Sequence, residues 1–253
     1  IIVIEEGRDY YLGPHDKLPL RPVRHLGYGG SGLVEEVEDT HTGAVYARKT
    51  IKFNEQHTFR NEKSILRSLP RHRHIVRMFA TSASKRDFSL IIEPVADEGD
   101  LGGFLDHIRD EIEDSEVISR RQRIDQRKLE VLQRAFGCLT GGLAFIHRSK
   151  IRHKDVNPQK ILVDRGMVLY TDFGYSLDSS KSSNSSTTAG KPQFWTRRYS
   201  APEVLNHERR NSLSDVFSLG CVYIDMLSVM YPKLVLSQGL CFGEELDSLH
   251  ALL

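Results

Sequence analysis

Leu26-Gly27-Tyr28-Gly29-Gly30-Ser31-Gly32-Leu33-Val34 is the stretch on which the fold turns. Glycines at 27, 29 and 32 follow a G-x-G-x-x-G spacing, which lets backbone approach a polyphosphate without Cβ interference and aims free N–H groups at its oxygens. That spacing alone is weak, because ordinary glycine-rich turns share it. Its flanks are more telling. Residues 23–26 and 33–38 read as short apolar strands, and Val34-Glu35-Glu36-Val37 alternates as a strand does. A dinucleotide-binding fold needs a helix opening at the third glycine instead. The loop is therefore predicted to join two strands.

Outward from the loop, Thr40-His41-Thr42-Gly43 reads as a turn and 44–51 as a further strand carrying Val45, Tyr46 and Ile51. Over 58–69, Phe59, Ile65, Leu66 and Leu69 fall mainly on one helical face, and Pro70 ends the helix. Residues 75–80 and 88–92 predict another hairpin. After Pro94 the apolar spacing becomes helical over 101–108 and 129–147. A small hairpin is predicted for 161–163 and 167–170, and a buried helix for 216–230. The expected architecture is α+β and two-lobed. Residues 1–19 form an N-terminal extension, 20–93 a small β-rich lobe with one main helix, and 94–253 a helical lobe, with a hinge near 93–96.

Composition narrows the classes of function. The 253 residues carry 35 Lys+Arg against 34 Asp+Glu, a net charge of +1, so the basic excess that drives non-specific nucleic-acid binding is missing. With 39% hydrophobic and 27% charged residues the chain can bury a core. No uninterrupted apolar run approaches the ~18 residues of a membrane span, and Ile1-Ile2-Val3-Ile4 runs into Glu5-Glu6, unlike a signal peptide. Cys138, Cys221 and Cys241 are odd in number and far apart, which points to a reducing intracellular setting, cytoplasmic or nuclear. Asp110–Glu116 holds five acids and is followed by Arg120, Arg121, Arg123, Arg127 and Lys128, a solvated loop or helix end, with a partner-docking insert as the alternative. Residues 176–188 hold seven Ser and two Thr and read as a mobile polar loop. The chain opens without Met, so it is expected to be part of a longer protein.

Lys49, seventeen residues past Gly32 on the next strand, can bring a point charge to phosphates, and its long stem needs a fixed carboxylate, for which Glu62 is the candidate. These residues resemble the eukaryotic protein kinases. The glycine loop is similar to that family's nucleotide loop, Val45-Tyr46-Ala47-Arg48-Lys49 to its lysine strand, and Glu62 to its helix glutamate. His153-Lys154-Asp155 resembles the catalytic loop, Asp172-Phe173-Gly174 the metal motif, Ala201-Pro202-Glu203 the end of the activation segment and Asp215-Val216-Phe217-Ser218-Leu219-Gly220 the start of a buried helix. The resemblance spans 26–220. It implies ATP and Mg²⁺ as cofactors, a protein substrate or partner, Asp155 as the catalytic acceptor of a hydroxyl proton and Asp172 as metal ligand. It also implies an adenine sandwiched by Leu26, Val34, Ala47 and Leu162, phosphates near Gly27, Gly29, Gly32 and Lys49, backbone hydrogen bonds from Glu93 and Val95, and Ile92 at the back. Leu66, Met78, His153 and Phe173 are expected to stack between the lobes, with His153, His72 and His74 structural rather than metal-binding.

Four departures bear on activity. Where the family places a lysine two residues and an asparagine five residues after the catalytic aspartate, this chain has Asn157 and Lys160. An ammonium offers no lone pair to Mg²⁺. Three outcomes stay open: loss of transfer, leaving a pseudokinase that binds nucleotide weakly or not at all and serves as scaffold or allosteric partner; Lys160 standing in for one metal, with slow activity on a single Mg²⁺ held by Asp172; or an exchange of roles between Asn157 and Lys160. Pro158 and Thr196 resemble the serine/threonine branch. Lys154 replaces the usual arginine and lacks its planar fork, so phosphorylation within 179–188 is one expectation and an unmodified linker the other. Only 50 residues follow Glu203, fewer than the family has, so the large lobe is expected to be truncated and Glu203 to lack an arginine partner.

Overall fold

The computed structural model describes residues 2–29, 32–117, 125–181, 196–231, 234, 236 and 239–246. The Ser/Thr-rich stretch beyond residue 181, the basic residues 120, 121 and 123, and the chain after 246 lie outside the described residues. Among those described, a six-stranded sheet forms the smaller lobe. Its strands are β1 (Asp9–Tyr11), β2 (Leu20–Gly29), β3 (Gly32–Asp39), β4 (Val45–Lys52), β5 (Arg77–Ala83) and β6 (Asp87–Glu93), ordered β1-β5-β6-β4-β3-β2. All pairings are antiparallel except β1 with β5, where Asp9 registers with Thr81. Helix α1 (Gln56–Ser68) crosses this sheet and buries Phe59, Ile65 and Leu66 against it.

The glycine loop is the hairpin between β2 and β3, with Gly27 opposite Val34 and Gly29 opposite Gly32. Gly32 has a packing reason of its own: a Cβ there would lie 2.0 Å from the Thr50 carbonyl oxygen on β4. The segment from residue 2 to residue 19 is tied to the sheet. Ile4 is buried with Leu20, Val37 and Tyr46, and β1 completes the sheet edge.

The larger lobe contains α2 (Leu101–Val117), α3 (Gln126–Arg148), α4 (Pro202–Leu205) and α5 (Leu213–Met230). Two small antiparallel ladders, β7 (Ile151–Arg152) with β10 (Leu177–Asp178) and β8 (Ile161–Asp164) with β9 (Met167–Tyr170), carry the loops facing the sheet. The acidic block ends α2, where Glu111 pairs with Lys128 of α3. By length and composition α3 and α5 are each apolar enough to cross a membrane. Here they are core helices: Leu132, Leu139 and Ile146 of α3 and Val222 and Met226 of α5 are fully buried in one shared core. Tyr170 on β9 lies in that core and donates its hydroxyl to the Leu139 carbonyl at 3.0 Å.

Candidate active site

A cavity of about 450 Å³ lies between the lobes, lined by Leu26, Gly27, Val34, Ala47 and Lys49 from above and Asn157, Lys160, Leu162, Asp172 and Thr196 from below. The hinge wall is Ile92, Pro94 and Ala96. Glu93 and Val95, expected to offer backbone groups to a base, also border a second groove, where the Glu93 carboxylate pairs with Arg77 at 2.6 Å. Apolar residues on both faces and a polar floor at one end suit a flat base attached to a charged tail.

The four charged residues singled out by the sequence converge. Lys49 Nζ donates to Glu62 Oε2 at 2.8 Å and to Asp172 Oδ1 at 2.7 Å, joining β4, α1 and the Asp172-Phe173-Gly174 turn. Burial works against the charge on Lys49, but the two carboxylates push its pKa up. Burial likewise opposes the charge on Asp172, yet Lys49 and Lys160 hold its carboxyl well below the usual range. The Lys160 ammonium pairs with Asp172 Oδ2. Asp172 has φ 63°, a left-handed conformation rare for a non-glycine residue and common at functional sites.

Asp155 lies beside this network. Its Oδ1 accepts from Thr196 Oγ1 at 2.9 Å and from Asn157 Nδ2 at 3.0 Å, whereas its buried Oδ2 has no hydrogen-bond partner among the described residues. Burial pushes the Asp155 carboxyl up, opposed in part by Lys160 and Thr196. One carboxylate oxygen is thus fixed by two donors and the other is left to accept a proton.

Two anchors escaped the sequence reading. Asp215, at the start of α5, accepts the backbone N–H groups of His153 and Lys154 at 2.8 Å each, and so fixes the loop carrying Asp155. Asn61, the neighbour of Glu62, donates to the carbonyls of Gly174 and Ser176 at 2.9 Å. A buried aspartate beside an apolar helix run and a polar residue next to Glu62 were the only signals. His153 is buried, bonded to the Thr171 carbonyl, with its ring 4.9 Å from Phe173; Leu66 and Met78 are buried in the core containing Phe173. His74 is tied to the Val168 carbonyl and His72 stacks on Phe145, so both are structural. Glu203 accepts from Ser214 at 2.6 Å and makes no ion pair among the described residues.

The protein kinase domain model matches residues 20–236. The chain is 31% identical over 207 residues to MAP kinase kinase kinase wis4 of Schizosaccharomyces pombe, covering 76% of this chain and 14% of that protein. It is 28% identical over 235 residues to CBL-interacting protein kinase 17 of Oryza sativa, covering 89% and 46%, and 30% identical over 220 residues to dual specificity mitogen-activated protein kinase kinase dSOR1 of Drosophila melanogaster, covering 84% and 49%. It therefore spans less than half the length of each of these relatives. With the domain model covering most of its length and the motif residues gathered into one crevice, the chain belongs to the protein kinase domain family.

Proposed function

We propose that this domain transfers the γ-phosphate of ATP to a serine or threonine hydroxyl of a protein substrate. The observation carrying this reading is the convergence of Lys49, Glu62 and Asp172 beside a carboxylate, Asp155, with one oxygen unengaged among the described residues. Leu26, Val34, Ala47 and Leu162 would enclose the adenine, and Lys49 would neutralise phosphate charge. The substrate hydroxyl gives its proton to Asp155 Oδ2 while its oxygen bonds to the γ-phosphorus. The bond from that phosphorus to the bridging oxygen breaks, and ADP leaves with the electron pair. Thr196, whose hydroxyl reaches both Asp155 and Asn157, and Pro158 support a Ser/Thr acceptor.

The donor set fits one Mg²⁺ and not two. Magnesium is commonly held by one or two carboxylates plus phosphate oxygens, and Asp172 offers one; position 160 presents an ammonium. A bound ion would neutralise phosphate charge, and Lys160 adds the second positive charge. The same Lys160–Asp172 pair favours a second reading, a pseudokinase that binds nucleotide weakly or not at all and acts as scaffold or allosteric partner. An intracellular location, cytoplasmic or nuclear, is part of the same proposal and rests on the odd number and wide spacing of Cys138, Cys221 and Cys241 in the sequence. Incubating the protein with γ-labelled ATP and a mixed Ser/Thr/Tyr peptide library, followed by phosphoamino-acid analysis, tests the proposal. Label on serine or threonine is expected; label on tyrosine alone refutes the acceptor class, and no label supports the second reading.

A further inference from the structure

The N-terminal segment precedes the region matched by the kinase domain model, yet it is built into the lobe that carries the lysine–glutamate pair. Gly7 donates its N–H to the Phe79 carbonyl, Thr81 to Arg8 and Leu12 to Ala83, so the segment is laced along β5. This places Asp9 against the outward side of α1. Its Oδ2 accepts from Lys63 at 2.7 Å and from Arg67 at 3.0 Å, and its Oδ1 accepts from Arg67 at 2.7 Å and from Thr81 Oγ1 at 2.5 Å. Arg67 also donates to the Gly7 carbonyl at 3.0 Å. Four donors on one carboxylate, one of them from a fixed strand, make an anchor rather than a chance surface pair.

We propose that Asp9 is a positioning residue, through which the N-terminal strand clamps α1 and so holds Glu62 against Lys49. The helix geometry carries the argument. Successive residues rotate by about 100° around a helix axis, so Asn61, Glu62 and Lys63 point in three directions. Asn61 grips the Gly174 and Ser176 carbonyls, Glu62 grips Lys49, and Lys63 with Arg67 one turn later grips Asp9. Like charges at i and i+4 disfavour a helix by themselves; Asp9 compensates this pair and fixes rotation about the axis. Without it, the polar restraint on the outward side of the helix is gone.

The clamp rests on the reading of Lys49 and Glu62 as a working pair, so its test must separate the two. Hydrogen exchange of the α1 amides and affinity for a fluorescent ATP analogue are measured in the wild type, Asp9→Asn, Lys63→Gln with Arg67→Gln, and Glu6→Gln. Glu6 controls for loosening the segment, because it pairs with Arg71 and Arg77 rather than with α1. Asp9→Asn and the double variant are expected to speed α1 exchange about fivefold and to weaken analogue binding about fivefold, within the usual range of site-to-site coupling. Exchange in α3 and α5 and all properties of Glu6→Gln should stay at wild-type values. In a Glu62→Gln background, Asp9→Asn should bring no further loss of affinity, since both act through the same contact. Unchanged α1 exchange, or independent multiplication of the two affinity losses, overturns the clamp. A wild type that binds no nucleotide refutes the kinase reading instead, and the exchange comparison then decides the clamp alone.

Discussion

Position 160 is where a single side chain most changes the chemistry. Lys160 puts a donor where the family resemblance calls for an acceptor, and it pairs with Asp172. Lys160→Asn should therefore raise the rate of ADP production about tenfold at saturating Mg²⁺, since misplacements near 1 Å already cost about a hundredfold; an unchanged rate would place the limitation elsewhere. Lys49, Glu62, Asp155 and Asp172 were legible in the sequence because phosphate chemistry restricts each position to one or two residue types at ordered spacings. Leu26, Val34, Ala47 and Leu162 were named only through the family resemblance, as the enclosure of an adenine, and with Gly27 they line the cavity. Glu93 and Val95 were named for their backbone groups, and their side chains border the groove that also contains Arg77. Asp215 was read as the start of a helix; that its carboxylate takes two loop amides follows only from the long-range contact.

Among the elements, periodicity located α1, α3, α5 and the β8–β9 hairpin nearly to their ends, because each buries an unbroken apolar stripe. Strand β1 was invisible: Asp9-Tyr10-Tyr11 is too short to alternate and is recruited by the exposed edge of β5. Its Asp9 provides a pH test. Burial disfavours the charged carboxyl, but hydrogen bonds from Arg67, Lys63 and Thr81 lower its pKa from 3.8 to about 2. A folded-state pKa below the unfolded one means that the contribution is full above about pH 4 and is lost as pH falls towards 2. Urea midpoints should therefore drop more steeply for the wild type than for Asp9→Asn across that window, and parallel curves would contradict the assignment. In the glycine loop, Gly32→Ala forces a methyl onto the Thr50 carbonyl, 2.0 Å from its ideal position. The expected cost is about 1–3 kcal/mol of stability, as for other overpacked sites, read as a lower urea midpoint.

At the scale of the whole molecule, the polar links between the lobes include Lys49–Asp172, Asn61 with the Gly174 and Ser176 carbonyls, and the backbone bonds of His74 and Val76 with Tyr170. A ligand that bridges them should stabilise the folded chain as a unit. ATP at about 100 times its Kd should add about 2.7 kcal/mol, raising Tm in the wild type, while Lys49→Met should show a much smaller shift at the same concentration. The two-lobed α+β plan was readable from the switch from period-two to helical spacing near residue 94, whereas the docking of the first nineteen residues depended on an edge supplied from elsewhere in the chain. The central claim is that Asp155 accepts a proton in phosphoryl transfer within this crevice. Steady-state ADP production by the wild type and by Asp155→Asn, at matched nucleotide occupancy, tests it most directly. The wild type should exceed the variant by about 10²–10⁴, the range for a positioned general base; equal rates would contradict it.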